Sequence, residues 1–349
     1  MMKVLVTGGA GYIGSTVASA CLDDGVQPVL LDDLSTGRLD FTRDRLFYRG
    51  DIADGALIDR IFRDHPDIKV VVHCAAVIVV SESVDQPSRY YRVNVAKTLD
   101  LVEHLRRNGC CRWVFSSSAS VYGSGAEQCV DERSPLNPDS PYARTKAMVE
   151  QILADCAPAY GLQVITLRYF NPIGADPAMR TGPYAPHPSH VLGKMIEAAR
   201  EGTPFEVTGT DWPTRDGSGI RDYIHVWDLA RAHVQALRRF DALFPETGHR
   251  YETVNVGTGR GTTVRELLAA FQRVLGRPLT VREAGRRAGD TAGSFTRSER
   301  SRALLGWEAQ LTVEDGIRDS LIWAGLSDTR EAIAGPVAWP MAGSGAAPS

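Results

Sequence analysis

Lys3-Val4-Leu5-Val6-Thr7-Gly8-Gly9-Ala10-Gly11-Tyr12-Ile13-Gly14 decides the fold. Its first five residues form a short apolar, β-branched run, the composition of a strand buried on both faces of a parallel sheet. The glycines follow at once, and a helical pattern runs from Ser15 to Asp24. Their spacing fits Gly-x-Gly-x-x-Gly at Gly9, Gly11 and Gly14, and also Gly-x-x-Gly-x-x-Gly at Gly8, Gly11 and Gly14. Both versions permit a tight turn and a close approach of backbone, so a pyrophosphate can rest on the helix N-terminus. A second strand, Pro28-Val29-Leu30-Leu31, ends in Asp32. A carboxylate there accepts both hydroxyls of an adenosine ribose and repels a 2′-phosphate, which favours NAD over NADP. Strand, glycine turn, helix, strand and acid, in that order, predict a doubly wound, Rossmann-like α/β domain.

Further βα units extend the pattern. Phe47-Tyr48-Arg49 leads into Asp51-Ile52, and Val70-Val71-Val72-His73-Cys74-Ala75-Ala76 reads as a buried strand that leaves small residues at its carboxyl end. A helical pattern covers Pro87 to Arg107, with Asn94 inside it. Arg112-Trp113-Val114-Phe115 is the next strand, and it delivers Ser116-Ser117-Ser118 to the carboxyl edge, where open α/β sheets bind ligands. Ser140-Pro141 then makes a good helix start, since Ser caps and Pro is tolerated in the first turn. On that helix Tyr142 and Lys146 stand four residues apart and share one face. An ammonium beside a phenol favours the phenolate, so Tyr142 is expected to titrate towards neutrality and to serve as a proton acceptor. Taken alone, the pair also fits a solvated helix face, and the serine run also fits a plain loop.

At 349 residues the chain has room for about two domains, or for one large α/β unit with a cap. A hydrophobic share of 43%, a charged share of 23% and a net charge of −3 are ordinary for a globular protein and recommend neither nucleic acid nor an anionic membrane as partner. No apolar run is long enough to span a bilayer. Met1-Met2-Lys3-Val4 enters the strand pattern directly, leaving no room for a signal peptide. The six cysteines are scattered without a Cys-x-x-Cys, and the eight histidines form no ligand-spaced cluster. The expectation is a reduced, cytoplasmic protein without a metal site.

Taken together, Thr7 to Gly14, Asp32, Asp51-Ile52, Ser116 to Gly123, Tyr142 with Lys146, and Leu167-Arg168-Tyr169-Phe170-Asn171 resemble the extended short-chain dehydrogenase/reductase superfamily. Within it, Arg221-Asp222-Tyr223-Ile224-His225-Val226, preceded by Asp211-Trp212-Pro213-Thr214-Arg215-Asp216-Gly217, is similar to the UDP-glucose (UDP-galactose) 4-epimerases, and the likeness spans roughly residues 2 to 325. The resemblance implies Ser118, Tyr142 and Lys146 as a catalytic triad. It implies tightly bound NAD held by Gly8, Gly11, Tyr12, Ile13, Gly14, Asp32, Asp51, Ile52, Ala75, Ala76, Asn94, Ser116, Tyr142, Lys146 and Tyr169. It also implies a nucleotide-sugar held by Ser118, Tyr142, Asn171, His190, Val191, Thr208, Arg221, Arg287, Asp290 and Ser294, with a homodimer paired through the Ser88–Arg107 and Tyr142–Ala157 helices. Arginines suit the diphosphate because they grip it bidentately, although Arg286-Arg287 alone also reads as a surface charge pair.

The implied reaction is a reversible oxidation at the sugar's C4. Dehydratases of the superfamily carry an Asp-Glu pair directly after the Ser/Thr, whereas this chain has Ala119-Ser120. It also departs from the common epimerase pattern at Ile78, where a Lys is usual, at Thr208, where an aromatic stacks on uracil, and at Ser189-His190-Val191, in place of Asn-Asn-Leu. Ser294 stands at the position whose small side chain, in the family, leaves room for an N-acetyl group. Competing readings are a related sugar-nucleotide dehydratase or dehydrogenase, and a non-catalytic NAD sensor.

The expected division is an NAD-binding domain of residues 1–171 plus about 222–260, and a smaller mixed α/β substrate-binding cap of 172–221 and 261–330. In that cap Thr262 to Gly276 and Ser298 to Trp323 supply helices. His225, in an apolar strand, reads as a core histidine. The uncharged Ala/Gly/Pro/Ser-rich tail, 331–349, is expected to be disordered.

Overall fold

A computed structural model describes residues 2–123, 128–184, 188–244, 248–286 and 291–327. The first half alternates strand and helix: β1 (Lys3–Thr7), α1 (Tyr12–Asp23), β2 (Gln27–Asp32), β3 (Leu46–Arg49), α2 (Gly55–Asp64) and β4 (Ile68–His73). Then come α3 (Val80–Asp85), α4 (Pro87–Tyr90), a π-helical segment Tyr91–Ala96, α5 (Lys97–Arg107), β5 (Arg112–Ser116), β6 (Cys129–Val130), α6 (Pro141–Tyr160) and β7 (Gln163–Tyr169). The second half runs β8 (Asn171–Ile173), α7 (Val191–Glu201), β9 (Phe205–Thr208), β10 (Ile220–Arg221), β11 (Tyr223–His225), α8 (Val226–Leu243) and β12 (Tyr251–Val256). It closes with β13 (Thr262–Thr263), α9 (Val264–Leu275), β14 (Val281–Ala284), β15 (Phe295–Thr296) and α10 (Val313–Trp323).

Seven strands form one parallel sheet in the order β12-β7-β5-β4-β1-β2-β3. Strand direction reverses its spread at β1 and β4, which is the doubly wound arrangement the glycine stretch predicts. Successive strand residues face opposite sides. Val4, Val6, Leu30, Val70, Val72 and Val114 pack beneath α1 and α8, whereas Leu5, Val29, Leu31, Val71, Trp113 and Phe115 pack beneath α2, α5 and α6. Both faces are covered, so the strands read as unbroken apolar runs.

A separate core joins Ile173, Leu192, Met195, Phe205, Tyr223, Phe271, Ile317 and Leu321. It gathers α7, α9, α10 and the parallel β9–β14 pair into a cap. The stretch 298–323, expected wholly in the cap, divides. Leu305 and Trp307 lie in the sheet's core, with Trp307 Nε1 donating to the Asp228 carbonyl on α8 at 3.1 Å. Only a tertiary partner distinguishes these positions from cap residues. The tail 331–349, like Arg287 and Asp290, lies outside the described residues. No described helix is long and apolar enough to cross a membrane.

Candidate active site

The crevice opens where β1, β2, β4 and β5 end. Gly8 adopts φ +67°, and a Cβ there would meet the backbone of Ala75 and Cys74 at 2.7–2.9 Å. A Cβ on Gly14 would fall 2.2 Å from the Gly8 carbonyl oxygen. Only glycine lets the turn, the helix start and the end of β4 come this close. At the N-terminus of α1 no side chain caps Gly11, and the first turn carries no acidic residue, so its amides remain available for an anion. Asp32 accepts from Ala10 N at 3.0 Å and Leu34 N at 2.8 Å. Burial nevertheless raises its pKa, against those two amides.

Gly8, Gly11, Asp32, Asp51, Ile52, Ala75 and Ala76 line one pocket, as the sequence reading expects. Val77, Val93, Ser35, Thr36 and Lys97 line it as well, and the sequence reading missed them. Lys97 pairs with Asp51; its signal was its place one helical turn after Asn94. Tyr12 reaches the cap instead, donating to the Gly174 carbonyl at 2.6 Å. Ile13 packs on the sheet's core.

Asn94 is tied to the protein's own chain. Its amide bridges both backbone groups of Val77 at 2.9 Å and donates to Thr145 Oγ1 at 3.0 Å. Both amide hydrogens are thereby used, so Asn94 ties the segment after β4 to α6 from within the π-helical turn, a conformation that recurs at functional sites.

Ser116, Ser118, Tyr142 and Lys146 converge at the end of β5. Ser140 caps α6, its Oγ accepting from Ala143 N at 3.1 Å, and thereby sets the start of the helix that carries Tyr142 and Lys146. Lys146 Nζ donates to the Ser116 carbonyl at 2.8 Å and lies 5.0 Å from the Phe115 ring centre. Ser118 Oγ accepts from Ser120 N at 3.2 Å. Its proton is therefore free to donate to the Tyr142 phenol. Ser116 Oγ lies 3.1 Å from Cys74 Sγ and 2.9 Å from His233 Nε2. Because His233 Nδ1 faces the Leu229 carbonyl at 2.9 Å, Nδ1 carries the proton and Ser116 is the donor to Nε2.

The expected acidity of Tyr142 is overturned in the ligand-free protein. Burial raises its pKa, opposed by the hydrogen bond from Ser118. The Lys146 ammonium is directed at the Ser116 carbonyl and is itself pushed down by burial from 10.5 to about 8, against Cys74 and Glu150. Because the folded state disfavours the ammonium, this group costs stability fully below about pH 8, and the cost vanishes as pH rises to 10.5. Lys146→Met is therefore expected to raise the thermal midpoint of the ligand-free protein at pH 7, by an amount that shrinks towards pH 10. A lowered midpoint at pH 7 would show that the Ser116 bond outweighs the burial.

The positions expected to hold substrate spread along the cap side. Tyr169, expected beside NAD, ends β7, where burial, then Tyr142 and Cys74, hold its phenol well above its ordinary pKa. Asn171 opens β8, and its N–H donates to the Asp222 carbonyl at 2.9 Å, beside Arg221. The Arg221 guanidinium is turned back onto the carbonyls of Ile220 at 2.7 Å and Ala292 at 3.0 Å. It thereby holds the segment leading to Ser294, a role that spacing alone did not reveal. Thr208 ends β9 opposite Ala284. His190 is the cap of α7, accepting from Gly193 N at 3.1 Å, and Val191 is that helix's first residue. His190 also lines a cavity with Tyr12, Pro172 and Trp323, whose walls share no residue with the glycine crevice. His225 is a core histidine as expected, its Nε2 3.2 Å from Asp319. Among the described residues no cluster of His, Cys, Asp or Glu could hold a metal ion.

Comparison with known proteins agrees with this geometry. Residues 4–257 match the model of the NAD dependent epimerase/dehydratase family. A UDP-glucose 4-epimerase of Azospirillum brasilense is 43% identical over 324 residues, 92% of this chain and 91% of that protein. The crystal structure of UDP-glucose-4-epimerase from Stenotrophomonas maltophila, with bound NAD and formylated UDP-arabinopyranose, superposes with a TM-score of 0.88 at 37% identity, covering 93% of this chain and 98% of that one. That of the Brucella ovis enzyme in complex with NAD gives a TM-score of 0.86 at 38% identity, covering 93% and 99%. The chain belongs to the NAD dependent epimerase/dehydratase family.

Proposed function

We propose that this protein is an NAD-dependent nucleotide-sugar 4-epimerase that interconverts UDP-glucose and UDP-galactose. The observation that carries the reading is the convergence of Tyr142, Ser118 and Lys146 beside a glycine crevice that ends in Asp32. The crevice fits NAD: a Cβ would fill the cradle at Gly8 and Gly14, and the α1 amides are uncapped. Gly8, Gly11, Tyr12, Ile13 and Gly14 would hold the pyrophosphate, and Asp32 the adenosine ribose. Asp51, Ile52, Ala75, Ala76, Ser116 and Tyr169 would complete the walls, with Asn94 acting through Val77.

NAD, held there, would supply the redox chemistry, as acceptor and donor of a hydride at the sugar's C4. Tyr142 takes the O4 proton and gives it back. With NAD bound, Lys146, cationic below about pH 8, would favour the phenolate against the burial that raises its pKa in the ligand-free protein. Ser118 donates to the reacting oxygen, since its own acceptor capacity faces Ser120 N. The UDP portion, at Asn171 and Arg221 with Arg287 and Asp290, anchors the molecule while the 4-keto sugar turns over. Ala119 and Ser120 offer neither the acid nor the base that elimination needs.

The test is proton NMR of the purified protein with UDP-galactose, UDP-GalNAc and their gluco epimers, without added NAD. Interconversion of the first pair is expected. The small Ser294 predicts turnover of the N-acetylated pair as well; a preparation active only on UDP-galactose would remove that extension, and no turnover of either pair would remove the substrate reading. The same reading includes a cytoplasmic homodimer, supported by six free thiols and by exposed Leu99 on α5 and Met148 on α6. Light scattering at the mass of one chain would refute the dimer.

A further inference from the structure

We propose that Glu150, clamped by Arg168, is a positioning residue for proton transfer: through Ser117 it fixes the chain segment from which Ser116 holds Lys146 and Ser118 meets Tyr142. The inference rests on the epimerase reading above.

Glu150 follows Lys146 by four residues on α6 and faces the same interior; it is 4% exposed and Arg168 6%. Arg168 Nε donates to the two Glu150 oxygens at 3.0 and 3.1 Å, and Nη2 donates to Oε2 at 2.5 Å. The same Oε1 accepts from the Ser117 hydroxyl. Ser117 N donates to the Leu167 carbonyl at 2.9 Å, so backbone and side chain of this residue are both held. Its neighbours on either side are Ser116, whose carbonyl receives Lys146, and Ser118, the partner of Tyr142. Behind the pair, Arg168 Nη1 donates to Tyr122 Oη at 3.1 Å, and Tyr122 donates to Asn255 Oδ1 at 2.7 Å.

A buried ion pair contributes little net stability compared with apolar side chains of the same volume, because desolvation offsets its attraction. What it supplies is direction: fixed lone pairs that orient one hydroxyl and, through it, three consecutive residues. Burial lowers the proton affinity of Lys146, and the Glu150 carboxylate opposes this. The groups around Lys146 are His73 and Cys74 at the end of β4, the Phe115 ring and Ser116 carbonyl on β5, and Tyr142 and Glu150 on its own helix. Arg168 on β7 stands behind Glu150, and His233 on α8 behind Ser116.

Two variants of the NAD-loaded protein test this, each assayed for kcat, KM for UDP-galactose, pH profile, bound NAD and thermal midpoint. Ser117→Ala removes one hydroxyl and leaves the ion pair. It is expected to lower kcat by about tenfold to a hundredfold at unchanged KM and NAD content, the cost of a small misplacement of reacting groups. Glu150→Gln is expected to move the alkaline limb of kcat to lower pH, because Lys146 loses an anionic neighbour. If Glu150→Gln does not fold, Ser117→Ala decides. A readout independent of turnover is the ultraviolet tyrosinate band of Tyr142, identified by its loss in Tyr142→Phe; it should titrate at higher pH in Ser117→Ala. Wild-type kcat, pH profile and tyrosinate titration in the variants would overturn the proposal, even with a lowered midpoint. A wild-type protein that turns over no UDP-sugar would instead sink the epimerase reading, while the titration still judges Ser117.

Discussion

Tyr142→Phe is expected to lower the interconversion of UDP-galactose and UDP-glucose by roughly a hundredfold to ten-thousandfold, the range that a positioned general acid–base contributes. The ring itself is packed against Val77, Tyr90 and Val93 and is 7% exposed. Phenylalanine fills the same space, so fold and bound NAD should survive. What disappears is the phenol oxygen that, on this reading, takes the O4 proton beside Ser118. Proton NMR integration of the two epimers, alongside the nucleotide content of both proteins, separates loss of chemistry from loss of cofactor. Residual turnover above a tenth of wild type would move the proton acceptor elsewhere.

Gly14→Ala is expected to yield a protein that purifies without NAD and is inactive as a consequence. The added methyl would meet the Gly8 carbonyl oxygen at 2.2 Å, and Gly8 has little room to retreat, since even a Cβ built on it, at φ +67°, would fall 2.7 Å from Ala75 N. The turn is expected to open and to carry the α1 amides away from the crevice that Asp32 and Ile52 line. Gly285→Ala is the control, because a Cβ there meets nothing within 4 Å. Spectrophotometry of the nucleotide released on denaturation, with circular dichroism of the intact proteins, checks the outcome. A Gly14→Ala protein that carries a full complement of NAD would show that the pyrophosphate does not rest on this turn.

The sheet was legible because β1, β2, β4 and β5 are buried on both faces, so their apolar runs have only one reading. The convergence of Ser118, Tyr142 and Lys146 followed from topology, since strand ends meet at one edge. What escaped was whatever depends on the third dimension. Tyr142 read as acidified because spacing shows Lys146 nearby but does not show burial of the phenol or the Ser116 carbonyl that receives the ammonium. Spacing likewise did not show that the polar atoms of Asn94 and Arg221 bridge Val77 and hold Ala292. Trp307 read as cap because nothing local reveals that it packs beside α8.

The seventh strand has a consequence for synthesis. Among the described residues β12 pairs only with β7, at the sheet's border, and it is made after residues 172–221 and α8. Until residue 256 leaves the ribosome, β7 presents an unpaired row of backbone donors and acceptors, the template that other chains can extend. A chain halted before Tyr251 is therefore expected to aggregate rather than wait as a monomer. Translation of this protein passes through a window in which quality control, rather than the finished fold, must cover that border.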